Sequence, residues 1–261
     1  MEEFKFVVKE EPVLKNPILI EGLPGIGNVG KIAAMHLIKE IGAKKFMTLY
    51  SPLFPPQVIV NDSGLIETMR NEFYYKKAEK SSQRDLILVT GNTQSATPSG
   101  QYALTQKILE TALDYNVSYI YTLGGLGVGR LVENPKVFGA VTDESHIPEL
   151  EKLGTVLKRV GVGQIIGVSG LLLGLGKLHG VAGACLMGET SGYYRDPNSA
   201  KAVLEILVKL LDLDVDMKGL SRKVIDTEKM LAEAQEMEKR MLQEMGMVQK
   251  EPSEDEMRYI G

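Results

Sequence analysis

The sequence predicts an α/β protein with a layered sheet and flanking helices, followed by an amphipathic C-terminal helix and a flexible tail. Between residues 17 and about 212, apolar runs alternate with segments of helical period, and the joints between them are rich in glycine. From residue 221 the chain becomes highly charged and lacks Gly and Pro as far as residue 245, while apolar residues recur at helical spacing. We therefore predict a core domain at residues 1–215, a helix at 216–246 and a tail at 247–261.

Each element is predicted from a local pattern. Strands are predicted where short runs are apolar or alternate with polar residues, at 18–22, 45–49, 64–69, 72–76, 85–90, 118–123, 136–141 and 180–187. Helices are predicted where apolar residues recur every three or four positions, at 29–41, 100–115, 147–160, 170–178 and 197–211. Asp196 before Pro197 marks the start of the last helix, because Asp caps free N–H groups and proline suits the first turn. Residues 212–219 (DLDVDMKG) are acidic, show no sustained period and are expected to form a linker.

The composition excludes several classes of function. Thirty Lys and Arg against 34 Asp and Glu give a net charge of −4, so the basic field that attracts nucleic acid is missing. The one cysteine, Cys185, cannot form an internal disulfide, and three well-separated histidines do not form a metal cluster. The acidic N-terminus is unlike a signal peptide, and the longest uncharged stretch, residues 160–176, is too short and glycine-rich to span a membrane. We expect a cytoplasmic protein with no cofactor, metal, nucleic-acid partner or membrane segment.

Glycine-rich loops follow two of the predicted strands. Gly25, Gly27 and Gly30 fit G-x-G-x-x-G between a strand and a helix, although the acidic residue that would hold a ribose about twenty positions later is missing. Gly125 and Arg130 belong to a second cluster, TLGGLGVGR, that would suit an anion. Two interpretations stay open: a phosphate or nucleoside pocket, or glycines that let a helix and a strand approach closely.

Two polar loops could also border a ligand. In GNTQSATPSGQY (91–102), Ser95, Thr97 and Ser99 are expected to cap the following helix rather than bind an anion. The turn after the last strand is either a pocket rim or a loop held by its own Arg195 and Asp196. The possible pocket residues are therefore Gly25, Gly27, Gly30, Gly125, Arg130 and Glu189. No catalytic residue is predicted, because no nucleophile, base and orienting group are connected.

The C-terminal helix has one apolar side, formed by Val224, Leu231, Met237, Met241 and Met245. This side could fold back onto its own domain or pack against a copy in another subunit. We favour the second, because the acidic linker and the even mixture of charges indicate a detached helix, and methionine makes an adaptable contact surface.

Five segments in this order resemble the proteasome assembly chaperone family, in its archaeal ATP-independent branch. They are EGLPGIGNVG, SPLFPPQVIV, GNTQSATPSGQY, TLGGLGVGR and the block that runs from GVSGLLLGLGKLHG through GACLMGETSGYYRDPNSAKAVLEIL, and the resemblance covers about residues 13–212. It implies an α/β fold similar to nucleoside phosphorylases, a homo-oligomer without catalytic activity, and binding to the α-subunits of the proteasome core particle.

The resemblance also implies a role for the tail. Members of this branch carry a C-terminal segment that resembles the hydrophobic-tyrosine-any ending of proteasomal activators, whose tyrosine and carboxylate enter pockets between α-subunits. Here the tyrosine is third from the end and follows Arg258 instead of a hydrophobic residue. The expected partner-binding residues are Met257, Tyr259, Ile260 and Gly261. The alternatives are a small-ligand protein or enzyme that binds phosphate or a nucleoside, and a purely structural oligomer.

Overall fold

The computed structural model describes residues 4–157 and 163–244. The strands are β1 (Lys5–Val8), β2 (Ile18–Gly22), β3 (Lys44–Tyr50), β4 (Val58–Val60), β5 (Ile66–Thr68), β6 (Asn71–Lys76), β7 (Leu86–Gly91), β8 (Tyr119–Gly127), β9 (Val137–Val141) and β10 (Ala182–Thr190). The α-helices are α1 (Val29–Glu40), α2 (Pro98–Asp114), α3 (Ile147–Lys152), α4 (Val168–Leu178), α5 (Pro197–Leu210) and α6 (Lys218–Glu244).

Eight strands form one mixed sheet in the order β1-β3-β6-β7-β2-β8-β10-β9, and β4 pairs with β5 in a separate hairpin. The central strands β7, β2, β8 and β10 are parallel, whereas the strands outside them are antiparallel. Every residue of β2 and β7 is buried, as expected for parallel strands that are covered on both faces.

Two pairs of helices cover the sheet. On one face α1 and α5 pack on the sheet through residues such as Leu37 and Leu204, and on the other α2 and α4 do so through residues such as Ile108 and Leu172. The predicted α/β class with a layered sheet and flanking helices is therefore confirmed. None of the helices in the described part of the chain combines the length and apolar composition needed to cross a bilayer.

All eight predicted strands are present, and two further strands were not predicted. The first of these, β1, lies at the edge of the sheet, where Val7 and Val8 are exposed, so its sequence lacks the buried alternation that marks a strand. The second, β4, contains only three residues and is defined mainly by its pairing with β5. Short strands at an edge depend on pairing with a neighbouring strand for stability, and this pairing cannot be predicted from the local sequence pattern.

The prediction of a helix over residues 147–160 is wrong for residues 153–157. Helix α3 ends at Lys152, and Gly154 adopts a φ of 89°, in the left-handed region that interrupts a helix. After this turn Val156 bridges to Phe138 in parallel, and the Val156 amide donates to the Val137 carbonyl at 2.8 Å. Residues 158–160 lie outside the described residues.

The predicted linker packs on the core instead. Leu213, Val215 and Met217 contact the hydrophobic cluster beneath α1 and α5, and the alternating aspartates between them are exposed. The pattern is therefore a period of two, which marks an extended segment with one buried side. His36 Nε2 lies 2.8 Å from the Asp216 carbonyl oxygen and holds this segment against α1.

The described contacts divide the chain into two compact units, Met1–Ser221 and Arg222–Gly261, whereas the sequence places the boundary between residues 215 and 216. Leu220, in the first turn of α6, explains the difference, because it is fully buried in the hydrophobic core of the first unit.

Candidate functional site

The loops that follow the four parallel strands gather at one edge of the sheet. Parallel strands end at a common edge, and ligands of open α/β sheets bind there. In this protein the loops after β2, β7, β8 and β10 meet at this edge. Of the sequence-predicted pocket residues, all six lie in these loops or in the strand and helix ends next to them.

Three of the predicted glycines let backbone segments cross closely. Gly27 has a φ of 60°, and a Cβ there would lie 2.8 Å from the hydroxyl oxygen of Thr190. A Cβ at Gly30 would overlap the carbonyl oxygen of Leu123, and one at Gly125 would overlap the carbonyl oxygen of Ile26. The loop after β2 thus lies directly on the ends of β8 and β10, and close packing accounts for these glycines.

The other predicted pocket residues are placed differently. A Cβ at Gly25 would meet no atom within 4 Å, so close packing does not explain this glycine. The Arg130 side chain is exposed and makes no hydrogen bond or ion pair within the described residues. The Glu189 carboxylate accepts a hydrogen bond from the Lys136 amide at 3.1 Å, which ties it to the loop before β9. A phosphate pocket built from these six residues stays a prediction.

One polar residue in each of two loops caps the following helix, whereas the Ser95 hydroxyl donates to the Leu53 carbonyl at 2.9 Å. The Thr97 hydroxyl accepts a hydrogen bond from the Gly100 amide at 3.1 Å and caps α2. Asp196 Oδ1 accepts one from the Ser199 amide at 2.9 Å and caps α5, while the Asp196 amide donates to the Gly27 carbonyl at 2.8 Å. The predicted capping by Thr97 and Asp196 is confirmed. The loop is held by Asp196, without an ion pair from Arg195 within the described residues.

A buried carboxyl group lies behind this edge and was missed from the sequence. Glu21, near the end of β2, is fully buried; its Oε1 accepts a hydrogen bond from the Leu23 amide at 2.8 Å, and its Oε2 accepts one from the Ser169 hydroxyl, also at 2.8 Å. Desolvation raises the pKa of Glu21 to about 7, although the hydrogen bonds from Leu23 and Ser169 lower it. The signal in the sequence was an isolated acid inside the apolar run ILIEG.

Two other polar side chains, Thr122 and Gln94, come from strands next to β2 or the loops that follow them. Thr122 lies in β8, directly opposite Glu21 of β2. Its side chain is fully buried, and its hydroxyl oxygen has no hydrogen-bond partner in the described part of the chain. Gln94 accepts a hydrogen bond from the Val168 amide at 3.1 Å and donates one to the Pro24 carbonyl at 2.7 Å. The loops after β2 and β7 are thus joined to the first turn of α4.

Two of the three histidines and the cysteine have structural surroundings. His36 contacts the segment before α6, and the ring of His146 lies 4.6 Å from that of Tyr119. Cys185 is buried. No group of three or more His, Cys, Asp or Glu side chains that could hold a metal ion occurs within residues 4–157 and 163–244.

The apolar side of α6 is broad. Successive residues of an α-helix are about 100° apart around the axis, so Val224 and Leu231 lie within about 20° of each other, while Met237 and Met241 lie about 100° to 140° away from Val224. Val224 and Leu231 are half-buried, whereas Met237 and Met241 are 66% and 56% exposed. The apolar side of the helix therefore has one edge formed by Val224 and Leu231 and another formed by Met237 and Met241. Met245 and the predicted tail residues Met257, Tyr259, Ile260 and Gly261 lie outside the described residues.

Comparison with known proteins places the chain among proteasome-related relatives. The model of the PAC2 family matches residues 19–245. The crystal structure of PbaB from Pyrococcus furiosus, an archaeal proteasome activator, is similar to this chain with 42% identity and a TM-score of 0.86, over 90% of this chain and 100% of that one. PbaA from the same organism, an archaeal homolog of proteasome-assembly chaperone, shows 28% identity and a TM-score of 0.75, over 94% and 97% of the two chains.

A comparison of sequences finds a relative that is similar to this chain over nearly its whole length. The uncharacterized protein MJ1210 of Methanocaldococcus jannaschii is 44% identical to this chain over 254 residues, which cover 97% of this chain and 96% of the relative. These matches confirm the family resemblance found in the sequence, whereas the similarity to nucleoside phosphorylases that it implied stays a prediction.

Proposed function

This chain belongs to the PAC2 family, and we propose that it is an ATP-independent proteasome assembly chaperone that recognises the α-subunits of the core particle. The observation that carries the proposal is the 42% identity to PbaB over the full length of that activator. The likeness to PbaA, a homolog of proteasome-assembly chaperone, points to the same partner. Under this proposal the protein acts by binding in the cytoplasm rather than by turnover.

The C-terminal tail is the proposed anchor. Tyrosine supplies a large apolar surface with one polar tip, which suits insertion into a pocket between two subunits. In the sequence of the tail, Tyr259 is followed by Ile260 and Gly261, and Met257 supplies a further apolar side chain. The charged helix α6 precedes the tail along the chain.

Self-association would strengthen a weak anchor. When several tails belong to one oligomer, binding of the first raises the effective concentration of the others at the α-ring. The exposed methionines Met237 and Met241 supply an apolar surface for such association, together with Val224, Leu231 and Met245. This surface is proposed to join copies of α6 from different subunits.

The anchor is tested by comparing two tyrosine substitutions for binding to purified α-rings. Tyr259→Ala should weaken binding by about tenfold or more, because loss of a buried aromatic anchor at an interface costs more than 1 kcal/mol. Tyr193→Ala is the matched control, since Tyr193 is 83% exposed in a loop of the core domain. Equal affinities of the two variants and the unmodified protein would remove the tail from the mechanism.

A further inference from the structure

A groove lies between the edge strand β1, the segment that follows it and the C-terminal end of α2. This β1–α2 groove has a volume of about 620 Å³, and its walls include Phe6 and Val8 of β1, Val13 of the next segment, and Asp114 and Tyr115 at the end of α2. Helix α2 begins at the edge of the sheet where the glycine-rich loops meet and ends here, 17 residues later. The groove is therefore separate from the candidate site described above.

The floor of the groove is held in place by the hydrophobic core. Val8 lies opposite Met47 in the ladder between β1 and β3, and Phe6 and Met47 belong to the apolar packing beneath α2 and α4. The Tyr115 ring meets the Phe46 ring edge to face, with 5.5 Å between the ring centroids. These contacts lie within the protein itself, so the groove is formed before any partner binds.

Part of the apolar wall faces solvent. Val13 is 85% exposed and Val8 is 49% exposed, and both line the same concave surface. Exposed apolar side chains that are grouped in a groove mark an interaction site. Strand β1 also ends the eight-stranded sheet, and among the described residues only β3 pairs with it. An open groove beside a free strand edge favours an extended segment of a protein over an enclosed small molecule.

The charge of the groove is negative. Glu11 and Asp114 line it and are exposed, and neither carboxylate makes an ion pair within the described residues. No Lys, Arg or His occurs among the described residues that line the groove. Burial raises the pKa of the Tyr115 hydroxyl, and the nearby charges of Glu11 and Asp114 raise it further.

The end of α2 adds to this negative charge. The C-terminus of a helix carries a partial negative charge, which a basic side chain in the last turn usually offsets. The last turn of α2 contains no basic residue, and Asp114 is the final residue of the helix. An acid at this position is unfavourable in the protein alone. A cation from outside the chain would therefore be stabilised in the groove by Asp114, Glu11 and the helix end.

We propose that the β1–α2 groove binds a basic segment of a partner protein, in which a lysine or arginine lies beside an aliphatic or aromatic side chain. The apolar side chain packs on Val8 and Val13, and the cation is bound by Glu11 and Asp114. The face of the Tyr115 ring offers the cation a further contact. This proposal does not rest on recognition of the proteasome, and the two are tested separately.

The test is fluorescence anisotropy of a labelled hexapeptide of alternating leucine and arginine, titrated with the full-length protein. Two comparison peptides carry glutamate in place of arginine, or serine in place of leucine. The leucine–arginine peptide should show saturable binding at least tenfold tighter than either comparison peptide. Its affinity should fall as salt is added, because the carboxylates that bind it are exposed and screened.

Three substitutions at exposed positions test the groove itself. Glu11→Gln combined with Asp114→Asn should weaken binding of the leucine–arginine peptide by about tenfold, as expected for loss of two exposed ion pairs. Val13→Ser should weaken it at least threefold, because less apolar surface is covered on binding. Since none of these side chains is buried, the variants should fold as the unmodified protein does.

Matched controls remove the same groups elsewhere. Glu10→Gln combined with Asp62→Asn removes two exposed acids that do not line the groove, and Val60→Ser changes an exposed valine of β4. Both should keep the affinity of the unmodified protein. Absence of saturable binding, equal binding of the glutamate peptide, or an equal loss in the controls would overturn the proposal. A change of oligomer size in light scattering with Glu11→Gln and Asp114→Asn, at unchanged peptide affinity, would also overturn it and would assign the groove to a second copy of this chain.

Discussion

The carboxylate of Glu21 accepts a hydrogen bond from the Ser169 hydroxyl at 2.8 Å, joining β2 to the first turn of α4 across 148 residues of chain. The same carboxylate accepts a second hydrogen bond from the Leu23 amide, where the loop after β2 begins. A fully buried acid thus fixes the position of a helix relative to the edge of the sheet where the glycine-rich loops meet.

The ionisation of Glu21 predicts a pH dependence of stability. Its pKa is raised from 4.5 to about 7 in the folded protein, so the folded state holds the proton more tightly than the unfolded state does. The stabilising contribution of the protonated group is complete below about pH 4.5 and is lost as the pH rises to 7. Between pH 4.5 and 8 the free energy of unfolding of the unmodified protein should fall by about 3 kcal/mol more than that of Glu21→Gln. Denaturant unfolding of the two proteins across this pH range measures the difference.

Two further variants check the origin of this effect. Glu151→Gln removes an exposed acid of α3 and should leave the pH dependence as it is in the unmodified protein. Ser169→Ala removes a hydrogen bond that lowers the pKa of Glu21, so it should move the transition to higher pH. An identical pH profile for the unmodified protein and Glu21→Gln would contradict the assignment.

The glycines of the loop after β2 predict a sharp difference between neighbouring substitutions. Gly30→Ala should destabilise the protein by about 1–3 kcal/mol, because the new methyl group overlaps the Leu123 carbonyl oxygen and forces the backbone to shift. Gly25→Ala meets no atom within 4 Å and should change stability by less than about 0.5 kcal/mol. Thermal unfolding of both variants measures the difference, and equal effects would show that packing does not explain Gly30.

Replacing either of two apolar residues of α6 with alanine should have different effects on stability and self-association. Leu220→Ala should lower the free energy of unfolding by about 2–5 kcal/mol, because Leu220 is fully buried in the core. Met237→Ala should leave that free energy nearly unchanged, since Met237 is 66% exposed, but should weaken self-association. Denaturant unfolding and light scattering measure the two effects. Loss of core stability without any change in self-association in Met237→Ala would contradict the proposed oligomer surface.

Much of the fold could be predicted because its central elements carry strong local patterns. The strands ILIEG and LILVTG are apolar throughout, and Asp196 with Pro197 marks the start of α5. The errors lie where tertiary contacts decide the structure. Gly154 ends a helix that periodicity alone would continue, and the segment before α6 is extended because Leu213, Val215 and Met217 find a place on the core.

The candidate sites were less predictable for a physical reason. The G-x-G-x-x-G spacing identified Gly27 and Gly30, but spacing cannot distinguish a phosphate loop from a close backbone crossing. Glu21 was visible in the sequence as one acid in an apolar strand, but its partner Ser169 was not.

The most direct test of the proposed function is native mass spectrometry of the full-length protein mixed with assembled proteasome α-rings, with and without residues 247–261. This measurement reports the number of subunits in the protein alone and in the complex. We predict an oligomer that binds the α-ring, and a truncated protein that keeps its oligomeric state but no longer binds. The absence of a complex with the full-length protein would contradict the proposal that this chain recognises α-subunits.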